Sequence, residues 1–448
     1  MTLRNGSKAT LGRFLAVVTG LIFLGGCGGG SSSSNNTTST GGVKNSSPVS
    51  VGFGVNGSGG GYFNGIWTSV TICAPGTSNC QTVDNVLVDT GSTGLRMLDT
   101  SISTVLPALG SITAGGTQLQ ECVQFGDTSF VWGPMLQADV EIAGEKASGL
   151  AIQVIGDNSA PVPSQCLANP VNSTLLNGGN DDTLLTLGAN GILGLAGYPW
   201  DCGSGCTSGT NLTSAGYPYY LCPTGQSCSA TTVQTNLQAT NPVAGFSSSD
   251  NNGVLITLPS IGASGAADAT VTGSLIFGIG TQTNNAIAGT VYAVDDYGNI
   301  PAVTYNNVQY SSPNNTIILD TGSNLIYFLD ANTLASAGIT ECTDNAGFYC
   351  PTSTLSFSMT AMGGNGTSGT IAFNVMNADT LFATKNAAFN DIAGDGGTSA
   401  ISDDLDFGLP FFFGRTVYVG MMPEVFSGET SPPSTASATI APYGYYAF

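Results

Sequence analysis

The chain has 448 residues, of which 28 are acidic, 8 are basic and none is histidine, so its formal net charge is −20. This length exceeds one ordinary hydrophobic core and predicts two domains or a large two-lobed unit. The lack of histidine excludes Ser-His-Asp and Cys-His catalysis and histidine-ligated metal sites. The scarcity of Lys and Arg argues against nucleic acid and anionic membrane surfaces as partners, and it leaves acid–base chemistry mainly to carboxylates.

Residues 1–27 are predicted to be a targeting segment and not part of the fold. Three basic residues precede a short apolar run from Phe14 to Leu24, as in a secretory signal. The run ends in Leu24-Gly25-Gly26-Cys27, which resembles a bacterial lipobox. This pattern predicts a lipid on Cys27, which would become the mature N-terminus. The alternative is an ordinary signal peptide that ends near a cysteine.

Residues 28–50 are predicted to form a flexible tether, because they are rich in Gly, Ser, Asn and Thr. Gly28 directly after the lipidated cysteine favours the outer membrane, with the protein facing the periplasm or the cell surface. The later sequence has no apolar run long enough to span a bilayer. The expected membrane contact is therefore the lipid anchor alone.

Ten cysteines remain after Cys27, and an even number in an exported chain predicts disulfides. Cys73 with Cys80, and Cys342 with Cys350, are close enough to close small loops, and Cys122 is expected to meet Cys166. Four more crowd into one insertion, where zinc is the rival hypothesis to disulfides and the pairing stays open: Cys202, Cys206, Cys222 and Cys228.

Most of the remaining sequence predicts short β-strands, because runs of β-branched and aromatic residues are bounded by Gly, Asn and Pro. One short helix is expected over residues 330–337. The expected strands include Ile66–Cys73, Val83–Val88, Ala138–Ala143, Leu150–Ile155, Gly273–Phe277 and Thr316–Leu319. Many short strands with turns between them indicate β-barrels or β-sandwiches.

The tetrapeptide Asp-Thr-Gly-Ser occurs twice, each time behind an apolar run: Val86-Leu87-Val88 before Asp89 and Ile317-Ile318-Leu319 before Asp320. The two aspartates are 320 − 89 = 231 residues apart, about half of the mature chain. A strand that runs into this tetrapeptide places a carboxylate at the strand end, and the glycine permits a tight turn. One copy could be a simple turn. Two copies, one in each half, predict two carboxyls that face each other across a pseudo-twofold axis.

The doubled motif resembles that of the pepsin-like aspartic peptidases, and other segments extend the resemblance over residues 60–425. Asn190–Pro199 is similar to the family's hydrophobic-hydrophobic-Gly element that follows the first aspartate. Further segments are similar to the opening hairpin, the flap, the crossing between lobes and the second hydrophobic-hydrophobic-Gly element: Tyr62–Ile66, Phe125–Ser129, Asn241–Val243 with Gly273–Gly278, and Asp406–Phe412. The chain is thus similar to a bacterial lipoprotein branch of that family.

The resemblance implies an all-β, bilobal fold with two pseudo-twofold related, barrel-like lobes, residues 51–255 and 256–448, and a cleft between them. It implies an aspartic endopeptidase that favours acid, hydrolyses polypeptides as a monomer and needs neither metal nor cofactor. Asp89 and Asp320 would be the catalytic pair, which shares one proton because two adjacent carboxyls do not both ionise readily. The residues expected to support the two loops are Thr90, Gly91, Ser92, Thr321, Gly322 and Ser323.

Two positions depart from the family pattern. The flap candidates are Phe125, Gly126, Asp127 and Trp132, and Phe125 stands where the family usually presents a tyrosine. Phe125 is expected to pack in the strand, and Trp132 is the candidate to substitute for the missing tyrosine. Arg96 replaces a large aromatic residue, either to change the local packing or as a solvated residue at the rim. The alternative function is a catalytically weak or inactive peptide-binding surface lipoprotein on the same fold.

Overall fold

A computed structural model of the chain describes residues 44–55, 57, 62–157, 159–168, 176, 178–224, 226–311, 317–329, 331–395, 405–422 and 443–448. The expected signal segment, the lipidation site Cys27 and the tether up to residue 43 lie outside these residues. None of the described helices is long and apolar enough to cross a membrane.

The described residues form 26 β-strands and three short α-helices, so the predicted all-β class is confirmed. The helices are α1 (Leu184–Leu187), α2 (Ala331–Leu334) and α3 (Ala378–Ala383). The strands are β1 (Ser46–Gly52), β2 (Gly65–Cys73), β3 (Cys80–Asp89), β4 (Thr93–Leu98), β5 (Gly110–Ser111), β6 (Thr113–Ala114), β7 (Thr117–Gln124), β8 (Ser129–Ile142), β9 (Glu145–Ile155), β10 (Gly179–Asn180), β11 (Gly191–Leu195), β12 (Tyr219–Leu221), β13 (Ser229–Ala230), β14 (Gly253–Thr257), β15 (Val271–Phe277), β16 (Val291–Ala293), β17 (Ala302–Tyr305), β18 (Val308–Ser311), β19 (Ile317–Leu319), β20 (Ile326–Phe328), β21 (Leu355–Met362), β22 (Ser368–Val375), β23 (Ala393–Asp395), β24 (Leu405–Phe407), β25 (Thr416–Gly420) and β26 (Tyr445–Ala447).

Six antiparallel strands from three parts of the chain form one sheet between the lobes, in the order β1, β15, β14, β25, β26, β16. This sheet corrects two predicted boundaries. Residues 46–50, expected in the tether, belong to β1, because Val49 and Val51 alternate into the core and outweigh the surrounding serines. The predicted lobe boundary at residues 255 and 256 falls inside β14.

The first lobe places its Asp-Thr-Gly-Ser loop between two strands that both pair with β11. Strand β3 runs parallel to β11, with Asp89 opposite Gly194. Strand β4 begins at Thr93, directly after the loop, and runs antiparallel to β11 and parallel to β9. The loop is therefore fixed on both sides by backbone hydrogen bonds to one central strand.

The second lobe repeats this arrangement with the same strand order and directions. Strand β19 runs parallel to β24, with Leu319 opposite Phe407. Strand β20 returns antiparallel to β24 and parallel to β23. The internal repeat seen in the sequence is thus a structural repeat, and the expected two-lobed architecture is confirmed.

Glycine occupies equivalent positions beside the two loops, at Gly194 and Gly408. A Cβ atom at Gly408 would lie 2.2 Å from the carbonyl oxygen of Leu325, and one at Gly194 would lie 2.7 Å from the carbonyl oxygen of Gly94. Both distances are too short for a side chain. The glycine in each hydrophobic-hydrophobic-Gly element therefore lets the chain pass directly against the loop.

The flap is a hairpin of β7 and β8 with a turn at Phe125–Thr128. Asp127 accepts a hydrogen bond from the Ser129 backbone N–H (2.9 Å), which is a normal Asx turn. The cysteine-rich insertion adds a third strand, because β12 pairs with β7 and places Tyr219 opposite Glu121. This hairpin is therefore wider than the sequence alone indicates.

Five disulfides link the ten described cysteines. The three expected pairs, Cys73–Cys80, Cys122–Cys166 and Cys342–Cys350, are confirmed. The four clustered cysteines pair as Cys202–Cys206 and Cys222–Cys228, so they offer zinc no free thiolates.

We expect the Cys122–Cys166 bond to contribute more stability than Cys342–Cys350, because it closes the longer loop, with a sequence separation of 44 against 8. If disulfides act by restricting the unfolded chain, removing the two bonds should lower the free energy of unfolding by amounts that differ by about 1.5 kcal/mol. The measurement is the free energy of unfolding of the Cys122→Ala/Cys166→Ala and Cys342→Ala/Cys350→Ala variants in denaturant. An equal or larger loss from the shorter loop would contradict the expectation.

Candidate active site

The two Asp-Thr-Gly-Ser loops meet where the lobes join, and their threonines are buried and hydrogen-bonded to each other. The Thr90 N–H donates to Thr321 Oγ1 (3.1 Å), and the Thr321 N–H donates to Thr90 Oγ1 (3.0 Å). Each hydroxyl then donates to a strand of the other lobe: Thr90 to the Leu319 carbonyl and Thr321 to the Val88 carbonyl, both at 2.7 Å. The reciprocal bonds fix the two loops in one relative position.

The two glycines bring each loop against the carboxyl group of the other. A Cβ atom at Gly91 would lie 2.4 Å from the carboxyl carbon of Asp320, and one at Gly322 would lie 2.6 Å from Oδ1 of Asp89. Any side chain at either position would displace a carboxyl. The glycines therefore allow Asp89 and Asp320, named the dyad below, to face each other.

The two dyad carboxyls differ in the donors that surround them. Asp89 accepts hydrogen bonds from the backbone N–H groups of Gly91 (2.8 Å) and Ser92 (3.2 Å) and from the Ser92 hydroxyl. Asp320 accepts the Gly322 backbone N–H (2.7 Å), and its Oδ2 lies 2.9 Å from the Ser323 hydroxyl. Donors favour the ionised form of a carboxyl, so the surroundings of Asp89 suit a carboxylate better.

Burial raises the pKa of Asp320 well above its usual range, and the charges of Asp89 and Asp406 raise it further. Asp406 lies at the second lobe's equivalent of an apolar position, and its Oδ2 is 2.5 Å from the Ser323 hydroxyl. The sequence identified its segment but not its carboxyl as part of the site. The available signal was an acid directly before Phe407-Gly408, where the first lobe has Ile192 before Leu193-Gly194.

Two tyrosines also approach the dyad. The Tyr62 hydroxyl donates to the Gly322 carbonyl (3.2 Å), and its ring packs on Trp67. Burial, followed by the charges of Asp89 and Asp320, raises the pKa of Tyr62. Burial and then Asp406 raise the pKa of Tyr327. Both phenols are therefore neutral donors at any pH at which the dyad carries its proton.

The predicted flap residues occupy different surroundings. Phe125 is partly buried and packs on the cluster around Trp67 and Val123, in agreement with the expected packing role. Gly126 and Asp127 form the turn at the flap tip. Trp132 is buried in a separate cluster with the Cys122–Cys166 disulfide and donates its indole N–H to the Ala160 carbonyl (3.0 Å). Tyr62, and not Trp132, is the aromatic donor beside the dyad.

Arg96 is buried, so its interpretation as a solvated residue at the rim is wrong. Its guanidinium lies 3.0 Å from Glu121 Oε1 and 3.7 Å from Asp201 Oδ2. It also donates to the Thr93 carbonyl (2.7 Å), at the start of the strand that follows the first loop. Glu121 belongs to flap strand β7 and Arg96 to β4. Their contact therefore links the flap to the strand that follows the Asp89 loop. Sequence alone could not reveal this link, since the partners come from distant segments.

Among the described residues, one group lies within metal-ligand distances: Cys342, Cys350 and Asp379. The two cysteines form a disulfide, which removes their thiolates as ligands. Of the three residues in this group, only Asp379 therefore keeps its metal-binding atoms.

A protein-family model described as "Protein of unknown function (DUF3443)" matches residues 41–436. The chain belongs to this family. The match includes both loops, the flap and, except for β26, the strands of the sheet between the lobes, so the candidate site lies within the DUF3443 region. No curated protein matches the chain significantly.

Among solved structures, the chain is similar to an aspartic proteinase from Irpex lacteus. The sequence identity is 14%, the TM-score is 0.42, and the match covers 88% of this chain and 99% of the proteinase.

We expect Asp320 to make the stability of the protein depend on pH. Its folded pKa lies above its unfolded value of about 4. Its contribution to stability is therefore complete below pH 4 and is lost as the pH rises through the folded pKa. Compared with wild type, Asp320→Asn should become relatively more stable between pH 4 and 7. The measurement is the free energy of unfolding of wild type and Asp320→Asn at each pH. A difference between the two proteins that does not vary with pH would refute the prediction.

We expect Arg96→Met to lower the free energy of unfolding at pH 7 by up to about 3–5 kcal/mol. Burial already raises the pKa of Glu121 well above its usual range, and the variant removes the cation that opposes this rise. Adding Glu121→Gln should recover part of this loss. Arg415→Met is the matched control, because Arg415 donates to the carbonyls of Phe411 and Ala372. Among the described residues Arg415 forms no ion pair, so Arg415→Met should lower the free energy of unfolding by less. A loss from Arg96→Met that does not exceed the control would contradict this interpretation.

Proposed function

We propose that this protein is an aspartic endopeptidase in which Asp89 and Asp320 activate a water molecule. The supporting observation is the pair of carboxyls brought face to face by reciprocal threonine bonds and by glycines that admit no side chain. Two carboxyls in hydrogen-bond contact share one proton, and general acid–base catalysis needs one ionised and one protonated group. Aspartic proteases are the established example of two aspartates that share a proton in this way.

The proposed reaction is a direct attack of water on the peptide carbonyl. The ionised carboxyl removes a proton from the water as its oxygen bonds to the carbonyl carbon, and the protonated carboxyl gives its proton to the carbonyl oxygen. When the C–N bond breaks, the carboxyl that took the water proton gives it to the amine nitrogen, which leaves. A hydroxyl of the tetrahedral intermediate returns its proton to the other carboxyl as the new carboxylic acid forms. No protein nucleophile and no acyl-enzyme take part. Ser92 and Gly91 stabilise the carboxylate form of Asp89.

The fold suits an extended polypeptide as substrate. The hairpin of β7 and β8 carries Asp127 at its tip, and the charge of Asp127 is felt by Tyr62 and Tyr327 beside the dyad. A peptide between the flap and the dyad would bury its scissile bond away from bulk water, which strengthens the electrostatic interactions there. We also propose that the protein acts as a monomer held to the outer membrane by a lipid on Cys27.

We predict cleavage of an unfolded protein substrate in acid, measured between pH 3 and 7 by the release of new amino termini. Asp89→Asn and Asp320→Asn should each lower kcat by at least about 100-fold, because each removes one member of the acid–base pair. Asp391→Asn, which alters a buried acid of the second lobe, is the matched control and should retain activity.

Activity that persists in the double variant Asp89→Asn/Asp320→Asn would refute the dyad. A folded wild-type protein that cleaves nothing at any pH would instead favour the peptide-binding lipoprotein.

A further inference from the structure

A third carboxyl is connected to the dyad through a single hydroxyl group. Ser323 Oγ lies 2.9 Å from Asp320 Oδ2 and 2.5 Å from Asp406 Oδ2. A serine hydroxyl has one proton, so it cannot donate to both oxygens at once. It therefore donates to one of the two carboxyls and turns an oxygen lone pair toward the other, which disfavours a negative charge on that second carboxyl.

The surroundings favour the proton on Asp320. Asp89 accepts two backbone N–H groups and the Ser92 hydroxyl, which stabilise it as a carboxylate. Asp320 accepts one backbone N–H and has negative charge on both sides, from Asp89 and from Asp406. A carboxyl that lies between two acids and has fewer backbone donors is the one that stays neutral. Ser323 then donates to Asp406, and the proton of Asp320 stays between Asp320 and Asp89.

The acid at position 406 belongs to one lobe only. In the second lobe Asp406 is opposite Tyr327 in the β20–β24 pair, and in the first lobe Ile192 is opposite Arg96 in the β4–β11 pair. The pseudo-twofold axis therefore relates an acid to an apolar residue. This difference makes the two halves of an otherwise matched site electrostatically unequal.

Other titratable groups also face Asp320 and Asp406. Those that interact with the pair are Asp89 on β3, Tyr327 on β20, Tyr446 on β26 and Tyr62 before β2. The charges of Asp127 on the flap and Asp295 after β16 act on these tyrosines. The tyrosines have raised pKa values and remain neutral. The charges that these described groups place around Asp320 are therefore all negative, and Asp406 is the one joined to it by a hydrogen-bonded hydroxyl.

We infer that Asp406, acting through Ser323, keeps the shared proton on Asp320, so that Asp320 is the acid of the dyad and Asp89 is its base. Asp406 touches neither the water nor the peptide in this role, so it is a positioning residue. If the proposed function holds, this role of Asp406 extends the pH range of activity toward neutrality. This catalytic consequence rests on the proposed function. The location of the proton is a property of the resting protein.

The test is a titration of Asp320 in the resting, folded protein by ¹³C NMR of labelled aspartate carboxyls. The Asp320 resonance is assigned by its loss in Asp320→Asn. In Asp406→Asn the pKa of Asp320 should fall by about 1 unit, because a neighbouring negative charge is removed. Asp406→Ile, which copies the first lobe, should lower it in the same direction. Asp391→Asn, a buried acid of the same lobe outside this chain of hydrogen bonds, should leave it unchanged.

The same variants then enter the activity assay. In Asp406→Asn the alkaline limb of the kcat/KM profile should move to lower pH by the same amount, because Asp320 loses its proton earlier. An Asp320 titration that is identical in wild type and Asp406→Asn would overturn the inference. A shifted titration in a protein that cleaves no peptide would leave the inference standing and refute the proposed function.

Discussion

The site depends on the four hydrogen bonds between Thr90 and Thr321 and the strands beneath them. Each threonine is fully buried, and each uses its hydroxyl both to accept from the opposite loop and to donate to the opposite strand. Buried polar groups that satisfy one another in this way are costly to separate. The lobes are consequently fixed at the point where the two carboxyls must meet, although the loops are 231 residues apart in the chain.

The two halves share a backbone plan but differ in their side chains. In both lobes a parallel pair and a returning strand enclose the loop, and a glycine lies against it. At the position where the first lobe has Ile192, the second has Asp406. In the first lobe Arg96 meets Glu121 of the flap, and the equivalent Tyr327 of the second lobe faces Asp406. A symmetric scaffold thus carries an asymmetric set of charges, which suits the two different roles proposed for the dyad.

Local patterns predicted a large part of this structure. The apolar runs before Asp89 and Asp320 identified both loops, and short sequence separations identified the disulfides of Cys73 and Cys342. These features are encoded within a few residues of one another. The contacts that were missed join distant segments: Arg96 with Glu121 and Asp201, β12 with β7, and Asp406 with Ser323. Periodicity does not reveal such contacts, because each partner alone resembles an ordinary strand or loop residue.

The start of the fold illustrates the same limit. Serine-rich composition predicted a tether up to residue 50, yet two alternating valines, Val49 and Val51, place β1 in the sheet between the lobes. Composition describes a segment as a whole, whereas burial is decided residue by residue. The strand matters to the site because β1 pairs with both β2 and β15, and so helps to hold the opening hairpin that carries Tyr62.

We propose that Asp89 and Asp320 act as one proton-sharing pair. Calorimetric binding of a statine peptide, whose hydroxyl imitates the tetrahedral state formed by attack of water, tests this pair most directly. We predict that the wild-type protein binds it in acid and that Asp89→Asn and Asp320→Asn each weaken binding by about 100-fold or more. Equal affinity in the wild-type protein and both variants would contradict the claim.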